Sequence, residues 1–316
     1  MRFALMTEPQ QGISYKELLA LVQAAEAAGF EAFFRSDHYA SFPGASGLPT
    51  TDAWAALAGL ARETSSIRIG SLVSPITFRV PGAFAKMVAT VNEMSGGRVE
   101  VGMGAGWNEE EHRQLGIPFP PIGERYSRLE EAVAIVHGLW TEADGWSYPG
   151  ANWQVTASRF SPRPTQPGRR HPNLILGGDG GPRLSRLVAA YADEFNRQSA
   201  TPERLRESYG RVRSACLAAG REPDSVVRSA MVGVLVGETE GEVRDRARQQ
   251  IALLGAGSDA DAWLAERRER WIIGTPEQAH ERIALLEAAG AQRVMLQDFL
   301  PRDLEMVGLL GRIAAG

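Results

Sequence analysis

RVEVGM at residues 98–103, followed by GAGWN at residues 104–108, is the stretch that decides the fold. Two valines and a methionine in the first six residues predict a β-strand, and the glycines after them mark its end. Apolar residues at helical spacing precede this strand over residues 81–94 and return over residues 124–140. A strand between two helices predicts βαβ units and therefore a parallel sheet.

The same alternation of short apolar runs and amphipathic helices extends along the chain. Strands are predicted at residues 3–6, 31–35, 67–73, 98–103, 173–176, 194–196, 226–236 and 293–296. Helices are predicted at residues 15–28, 52–63, 81–94, 124–140, 182–191, 202–219, 239–254, 260–270, 275–289 and 306–313. Eight strand–helix repeats in 316 residues predict an α/β fold, a (β/α)8 TIM barrel with insertions. We expect one domain over residues 1–316, with an insertion at about residues 141–172 between strands four and five. An open doubly wound sheet is the alternative.

Composition and charge exclude several classes of protein. The net charge is −4 with both signs interspersed, which argues against a general nucleic-acid binder. The single cysteine, Cys216, excludes a disulfide within the chain and favours the reducing cytoplasm. The apolar run at residues 1–6 is too short for a signal peptide, and no apolar stretch approaches the roughly 18 residues that a bilayer span needs. We therefore expect a cytoplasmic protein that binds neither nucleic acid nor membrane.

Chemistry in such a barrel takes place at the C-terminal ends of the strands. The segments that follow strands two to five are polar, small or aromatic: SDHY at residues 36–39, SPIT at 74–77, GAGWN at 104–108 and GGDGGPR at 177–183. Glycines just before a helix let backbone N–H groups approach an anion, so residues 177–181 predict a phosphate site. A loop that needs glycine only for turning is the alternative.

Other motifs are weaker. The glycines at 102, 104 and 106 have GxGxG spacing and not the GxGxxG of a Rossmann fold, so we interpret them as room for a flat ring on strand four. Asp37 and His38 form an adjacent acid and imidazole, suited equally to proton transfer or to a structural hydrogen bond. The remaining histidines, His112, His137, His171 and His280, lack metal-ligand spacing, so no metal is predicted.

RVEVGMGAGWNEEEH at residues 98–112 resembles the strand-four signature of the luciferase-like flavin and deazaflavin oxidoreductases. Further matching motifs lie at residues 35–38, 72–79, 116–120, 124–126, 129–131, 177–178, 192–196 and 273–278. Together they identify the chain as similar to the luciferase-like monooxygenase superfamily, and most of all to its F420-dependent oxidoreductase subgroup.

This resemblance implies a bacterial-luciferase-like barrel, often a homodimer, that binds FMN or coenzyme F420 across its mouth with the phosphate in the loop after strand five. By position, the implied cofactor contacts are Asp37, His38, Ser74, Ala105, Gly106, Glu111, Arg125, Tyr126, Gly178, Gly180, Gly181 and Arg183. The family often has a non-proline cis peptide at the end of strand three, and the matching bond here is Ser71–Leu72.

RSDH after strand two together with GAGWN after strand four most resembles the F420-dependent oxidoreductases, and this resemblance favours F420 over FMN. His38 corresponds to a proton donor beside the ring in relatives and is the predicted catalytic residue. Trp107 stands where one related class has a glutamate, which disfavours a sugar-phosphate dehydrogenase. The resemblance thus implies hydride transfer between F420 and a small organic substrate. An FMN-dependent monooxygenase that uses oxygen is the first alternative, and a deazaflavin-binding protein without turnover is the second.

Overall fold

A computed structural model describes residues 1–44 and 47–316. Its strands are β1 (Arg2–Thr7), β2 (Ala32–Arg35), β3 (Arg68–Pro75), β4 (Val99–Gly104), β5 (Trp146–Pro149), β6 (Gln154–Ser158), β7 (Asn173–Gly177), β8 (Glu194–Gln198), β9 (Val227–Val236), β10 (Ile272–Gly274) and β11 (Arg293–Asp298). Its α-helices are α1 (Tyr15–Ala27), α2 (Ala53–Glu63), α3 (Pro81–Met94), α4 (Glu109–Gln114), α5 (Ile122–Thr141), α6 (Pro182–Tyr191), α7 (Pro202–Ala218), α8 (Glu240–Leu254), α9 (Ala260–Arg267), α10 (Pro276–Ala288) and α11 (Leu304–Ala315). Within these residues no helix has both the length and the apolarity needed to cross a bilayer.

Eight of the strands close into a parallel barrel in the order β1-β2-β3-β4-β7-β8-β9-β11. The closing pair is β11 with β1, in register from Arg2 opposite Arg293 to Thr7 opposite Asp298. The predicted TIM barrel is therefore confirmed, and the open sheet is not formed. Closure brings all eight C-terminal strand ends to one mouth.

Three of the strands, β5, β6 and β10, were not predicted. Between β4 and β7, β5 and β6 pair as an antiparallel hairpin in which Trp146 lies opposite Ser158. The Trp146 ring packs on α5 where Gly138 has no side chain; a Cβ there would lie 2.3 Å from the indole. The short strand β10 adds to β9 in parallel, with Ile272 opposite Val234.

The non-proline cis peptide is Leu72–Val73, so the expected bond Ser71–Leu72 is wrong by one residue. It lies where the pairing of β3 with β4 shifts register, between Ser71 and Ser74. A motif match gives the position of the strand but not this local shift in register, so it could not assign the cis bond to the correct residue.

The barrel interior changes from ionic to apolar along its axis. At the N-terminal ends of the strands, the buried Arg293 guanidinium lies 2.7 Å from Glu100 and 3.0 Å from Glu194. Asn173 donates to both carboxylates, at 2.8 and 3.1 Å. Burial opposes ionisation of Glu100, but Arg293 and Arg68 outweigh it and hold its pKa at about 2. Farther along lies an apolar cluster that includes Met6, Phe34, Ile175, Met231 and Met295.

We expect Arg293→Met to lower the free energy of unfolding by about 3–5 kcal/mol, because it removes the cation that two buried carboxylates share. Urea unfolding followed by circular dichroism measures this. The matched control is Arg248→Met, which removes an exposed ion pair with Asp245 and should leave the unfolding midpoint nearly unchanged. Equal midpoints for the two variants would contradict the stabilising role of the ionic cluster.

Asp298 ends β11 as a buried carboxyl with incomplete hydrogen bonding. Its Oδ1 accepts from Leu300 N at 2.7 Å, whereas its Oδ2 has no partner among the described residues. Burial raises the pKa of Asp298 from 3.8 to about 7. The folded protein therefore keeps a proton that the unfolded chain loses, so this group makes stability fall as the pH rises through that interval.

Asp298→Asn should remove the loss of stability that ionisation of Asp298 causes as the pH rises. The free energy of unfolding of the variant, relative to the native chain, should increase between about pH 4 and pH 7, by at most about 4 kcal/mol. Urea unfolding at several pH values measures the difference, with Asp245→Asn as the exposed control. A difference that stays constant across this pH range would show that Asp298 ionises normally in the folded state.

Candidate active site

A cavity of about 590 Å³ opens at the C-terminal ends of the barrel strands. It is lined by residues from most of the strand ends, among them Glu8, Gln10, Ser36, His38, Val73, Ala105, Gly106, Trp107, Gly178, Gln198, Gln297 and Phe299. The barrel topology predicts this position. No group of three His, Cys, Asp or Glu side chains in residues 1–44 and 47–316 is arranged to share a metal ion.

His38 is held in one orientation at the edge of this cavity. Its Nδ1 lies 2.9 Å from Oε1 of Glu111, and the other oxygen of Glu111 accepts from Tyr39 N at 3.0 Å. Glu111 is buried on α4, so one carboxylate joins the segment after β2 to the helix after β4. The imidazole also meets the rings of Phe42 and Trp107 edge-on, at 4.5 and 5.7 Å. Because Nδ1 is occupied, Nε2 is the nitrogen left to exchange a proton with a ligand.

Asp37 and Ser74 lie behind the cavity wall. Arg79 binds both oxygens of Asp37, at 2.6 and 3.1 Å, and Ser74 Oγ donates to Asp37 at 2.7 Å. Trp54 Nε1 donates in turn to Ser74, at 2.8 Å. These buried bonds fix the segments that follow β2 and β3, and so they position the neighbouring His38.

Val73 forms part of the cavity wall and explains three glycines. A Cβ at Gly102 or Gly177 would lie 2.9 Å from Val73 Cγ1, and one at Gly104 would lie 2.6 Å from Cγ2. Beside Gly102, the room that we interpreted as space for a flat ring is therefore filled by this side chain. Gly104 and Gly106 line the cavity themselves, so contact of a ring with that part of the chain stays a prediction.

The loop at residues 177–181 has the backbone features of an anion site. Gly180 has φ +67°, in the left-handed region that favours glycine. Arg211 binds the carbonyl oxygens of Gly180 and Asp179 at 2.7 and 3.0 Å, so these acceptors are already occupied. Helix α6 follows with Gly181 at its N-cap and no side-chain cap. Its first N–H groups and helix dipole can therefore bind a phosphate.

The predicted site residues fall into two groups. Those that line the cavity are His38, Ala105, Gly106, Glu111, Tyr126 and Gly178. Those placed around it are Asp37, Ser74, Arg125, Gly180, Gly181 and Arg183. Arg125 donates to the Gly106 carbonyl at 2.8 Å and supports that segment from outside.

Arg183 has a partner within the chain. Its guanidinium binds both oxygens of Glu130, at 2.6 and 2.9 Å, on the neighbouring helix α5. A positive charge in the first turn of α6 opposes the helix dipole, and the Glu130 carboxylate offsets it. The contact of Arg183 with a cofactor phosphate stays a prediction.

A polar network at the bottom of the cavity escaped the sequence analysis. Glu8 accepts from the side-chain amides of Gln10 and Gln297, at 2.7 and 2.5 Å. Ser36 Oγ donates to Gln10 Oε1 at 2.7 Å. Glu8 and Gln10 follow β1 directly, so the rule applied to the ends of strands two to five would have found them. The same rule would have found Phe299, which follows β11 directly and also lines the cavity. Trp271, a further lining residue, precedes its strand and had no such signal.

The family model of luciferase-like monooxygenases matches residues 1–293. The chain belongs to the luciferase-like monooxygenase family. Among relatives of this family, pyrimidine monooxygenase RutA of Stutzerimonas stutzeri (strain A1501) is 30% identical over 267 residues, 82% of this chain and 71% of its own. An FMNH(2)-dependent dimethylsulfone monooxygenase of Pseudomonas putida is 28% identical over 313 residues, 90% of this chain and 82% of its own.

Among solved structures of this fold, an F420-dependent secondary alcohol dehydrogenase in complex with an F420-acetone adduct superposes with a TM-score of 0.82. It covers 99% of this chain and 97% of its own, at 19% identity. At that identity the likeness shows the fold alone. The luciferase-like chain is thus an oxidoreductase or monooxygenase of its family.

Proposed function

We propose that the protein transfers hydride between coenzyme F420 and a small organic substrate, with His38 as the proton donor or acceptor. The observation that carries the proposal is the His38–Glu111 pair, 2.9 Å apart, with the imidazole at the cavity edge. Hydride transfer to or from a polar bond needs a matching proton transfer, and a histidine held by a carboxylate performs it near neutral pH.

The residues present fit a tricyclic, phosphate-bearing cofactor. The cavity volume of about 590 Å³ is within the range of ligand sites. Gly178 and the uncapped N-terminus of α6 would hold the phosphate. Val73, Ala105 and Gly106 would contact the ring system, because they form the wall between the strand ends and the open mouth.

When bound, F420 supplies or accepts the hydride. A substrate carbonyl carbon that gains hydride leaves negative charge on its oxygen, and His38 Nε2–H donates the proton that neutralises it. In the oxidative direction, neutral Nε2 takes the hydroxyl proton as hydride leaves the carbon. Glu111 accepts the Nδ1–H bond throughout, which fixes the tautomer and the orientation of the ring.

An FMN-dependent monooxygenase that uses molecular oxygen is the second candidate. The names of the relatives support it, since one is a pyrimidine monooxygenase and another an FMNH(2)-dependent monooxygenase. The same glycine loop would take the phosphate of FMN. Cofactor affinity therefore decides between the two.

We expect F420 to bind at least ten-fold more tightly than FMN when each is titrated into the purified protein and the quenching of tryptophan fluorescence is followed.

Gly181→Ala should lower the affinity for the cofactor about ten-fold, because the new methyl group would lie where the phosphate binds. In the protein without cofactor, no atom lies within 4 Å of the position that the alanine Cβ would take, so the fold should be unaffected. Gly210→Ala on α7, equally free of contacts, is the control. Tight binding of FMN alone would refute the F420 assignment.

His38→Ala should lower turnover by roughly 100-fold or more, the usual contribution of a general acid or base, with cofactor affinity nearly unchanged. Glu111→Gln should lower turnover less, because the amide still reaches Nδ1 but carries no charge. Steady-state kinetics and cofactor titration measure the two effects separately. The matched control is His280→Gln, whose Nε2 binds the Ile313 carbonyl outside the cavity. Unchanged turnover in His38→Ala would remove His38 from the mechanism.

A further inference from the structure

One side of the cavity mouth is a stacked pair of aromatic rings. Trp271 lies just before β10 and Phe299 just after β11, with ring centroids 5.3 Å apart and planes within 6° of parallel. Both are half-buried and line the cavity. Neither residue has a part in the proton transfer or phosphate binding described above.

The indole of Trp271 is fixed before any ligand arrives. A Cβ at Gly233 would lie 2.3 Å from two of its ring carbons, so the ring lies flat on the backbone of β9. Trp263 of α9 meets it edge-on at 5.5 Å, and the Arg267 guanidinium lies 5.8 Å from its centroid. A flat surface ordered in this way loses little conformational entropy on binding.

The barrel order places a second aromatic surface across the mouth. In the ring of eight, β9 lies opposite β3 and β11 lies opposite β4. Phe42 lies in the segment after β2, and Trp107 lies in the segment after β4. These two rings are 5.2 Å apart and nearly perpendicular, and both line the cavity. The mouth is therefore a slot with aromatic walls on both sides.

Apart from the glycine loop proposed for the cofactor phosphate, the charges around this slot disfavour an anion. Among the described residues that line the cavity, Glu8, Glu111 and Asp179 are acidic and none is lysine or arginine. Arg197 pairs with Asp179, and His38 pairs with Glu111. Glu8 is bound only by neutral amides, so its charge has no cationic partner among these residues. A substrate carboxylate or phosphate placed beside Glu8 would lose its hydration and meet a second negative charge, and that is costly.

We infer that the substrate of this enzyme is a neutral, planar ring compound, aromatic or heteroaromatic, that stacks on the Trp271–Phe299 pair. This inference rests on the proposed function for the identity of the site as a redox centre. Planar rings gain from offset stacking on an aromatic face, which a saturated ring of equal size does not. The stacked pair thus selects for ring flatness, and the acidic lining selects against negative charge.

Three probes of similar size test the inference: 2-naphthol, its saturated analogue decahydro-2-naphthol, and 2-naphthoate. Isothermal titration calorimetry of the F420-loaded protein should show 2-naphthol binding at least ten-fold more tightly than the other two. Trp271→Leu should lose ten-fold or more in 2-naphthol affinity, and Trp271→Phe should keep most of it. Gly233→Ala, which displaces the indole, should behave like Trp271→Leu. The control is Trp153→Leu in the β5–β6 hairpin.

Affinity for F420 is measured on the same variants. An unchanged F420 affinity in Trp271→Leu with weakened 2-naphthol binding supports a substrate surface. Parallel loss of both ligands would show that the pair holds the cofactor, and it would overturn the inference, as would equal affinity for the saturated or anionic probe. Failure of the native chain to bind F420 would refute the proposed function and not this inference. The affinities for the three probes are then measured on the cofactor-free protein.

Discussion

Parallel pairing of β11 with β1 is the constraint on which the rest of the molecule depends. It joins segments almost the full chain length apart, so that Gln297 donates to Glu8 across 289 positions. With the ring closed, every strand end faces the same mouth, and residues from both ends of the chain meet in one cavity. Without closure, the two aromatic surfaces would belong to separate edges of a sheet and could not form opposite walls.

The two ends of the barrel use charge differently. At the N-terminal ends, Arg293 neutralises Glu100 and Glu194 in a buried cluster that links strands. At the C-terminal ends, charged groups orient their neighbours: Arg79 binds Asp37 behind the cavity wall, and Glu111 binds His38 at the cavity edge. The first arrangement stabilises the fold. The second uses the same kind of bond to orient side chains around an open space, which is what pre-organised chemistry requires.

Most of the fold could be predicted from the sequence because barrel strands are short, buried and separated by strong helices. The β5–β6 hairpin could not, since its residues alternate between half-buried and exposed and carry little apolar signal. Within the site, strand-end motifs correctly marked His38 and Gly178 as cavity residues. The pairing of Arg183 with Glu130 joins positions 53 apart, and no local pattern reports such a contact. Trp271 escaped because an aromatic residue before a three-residue strand resembles ordinary core.

Val73 fills space left by Gly104 and Gly177, and so one side chain occupies the room of two. A methyl group at either glycine would collide with the valine, so each glycine can be replaced only together with a smaller residue at position 73. These three positions therefore form one epistatic unit. Gly102 stands apart, because a Cβ there would also collide with the backbone carbonyl of Ser71. Laboratory evolution that varies the two glycines singly would meet dead ends, whereas a library that varies the three positions together could reshape this wall of the cavity.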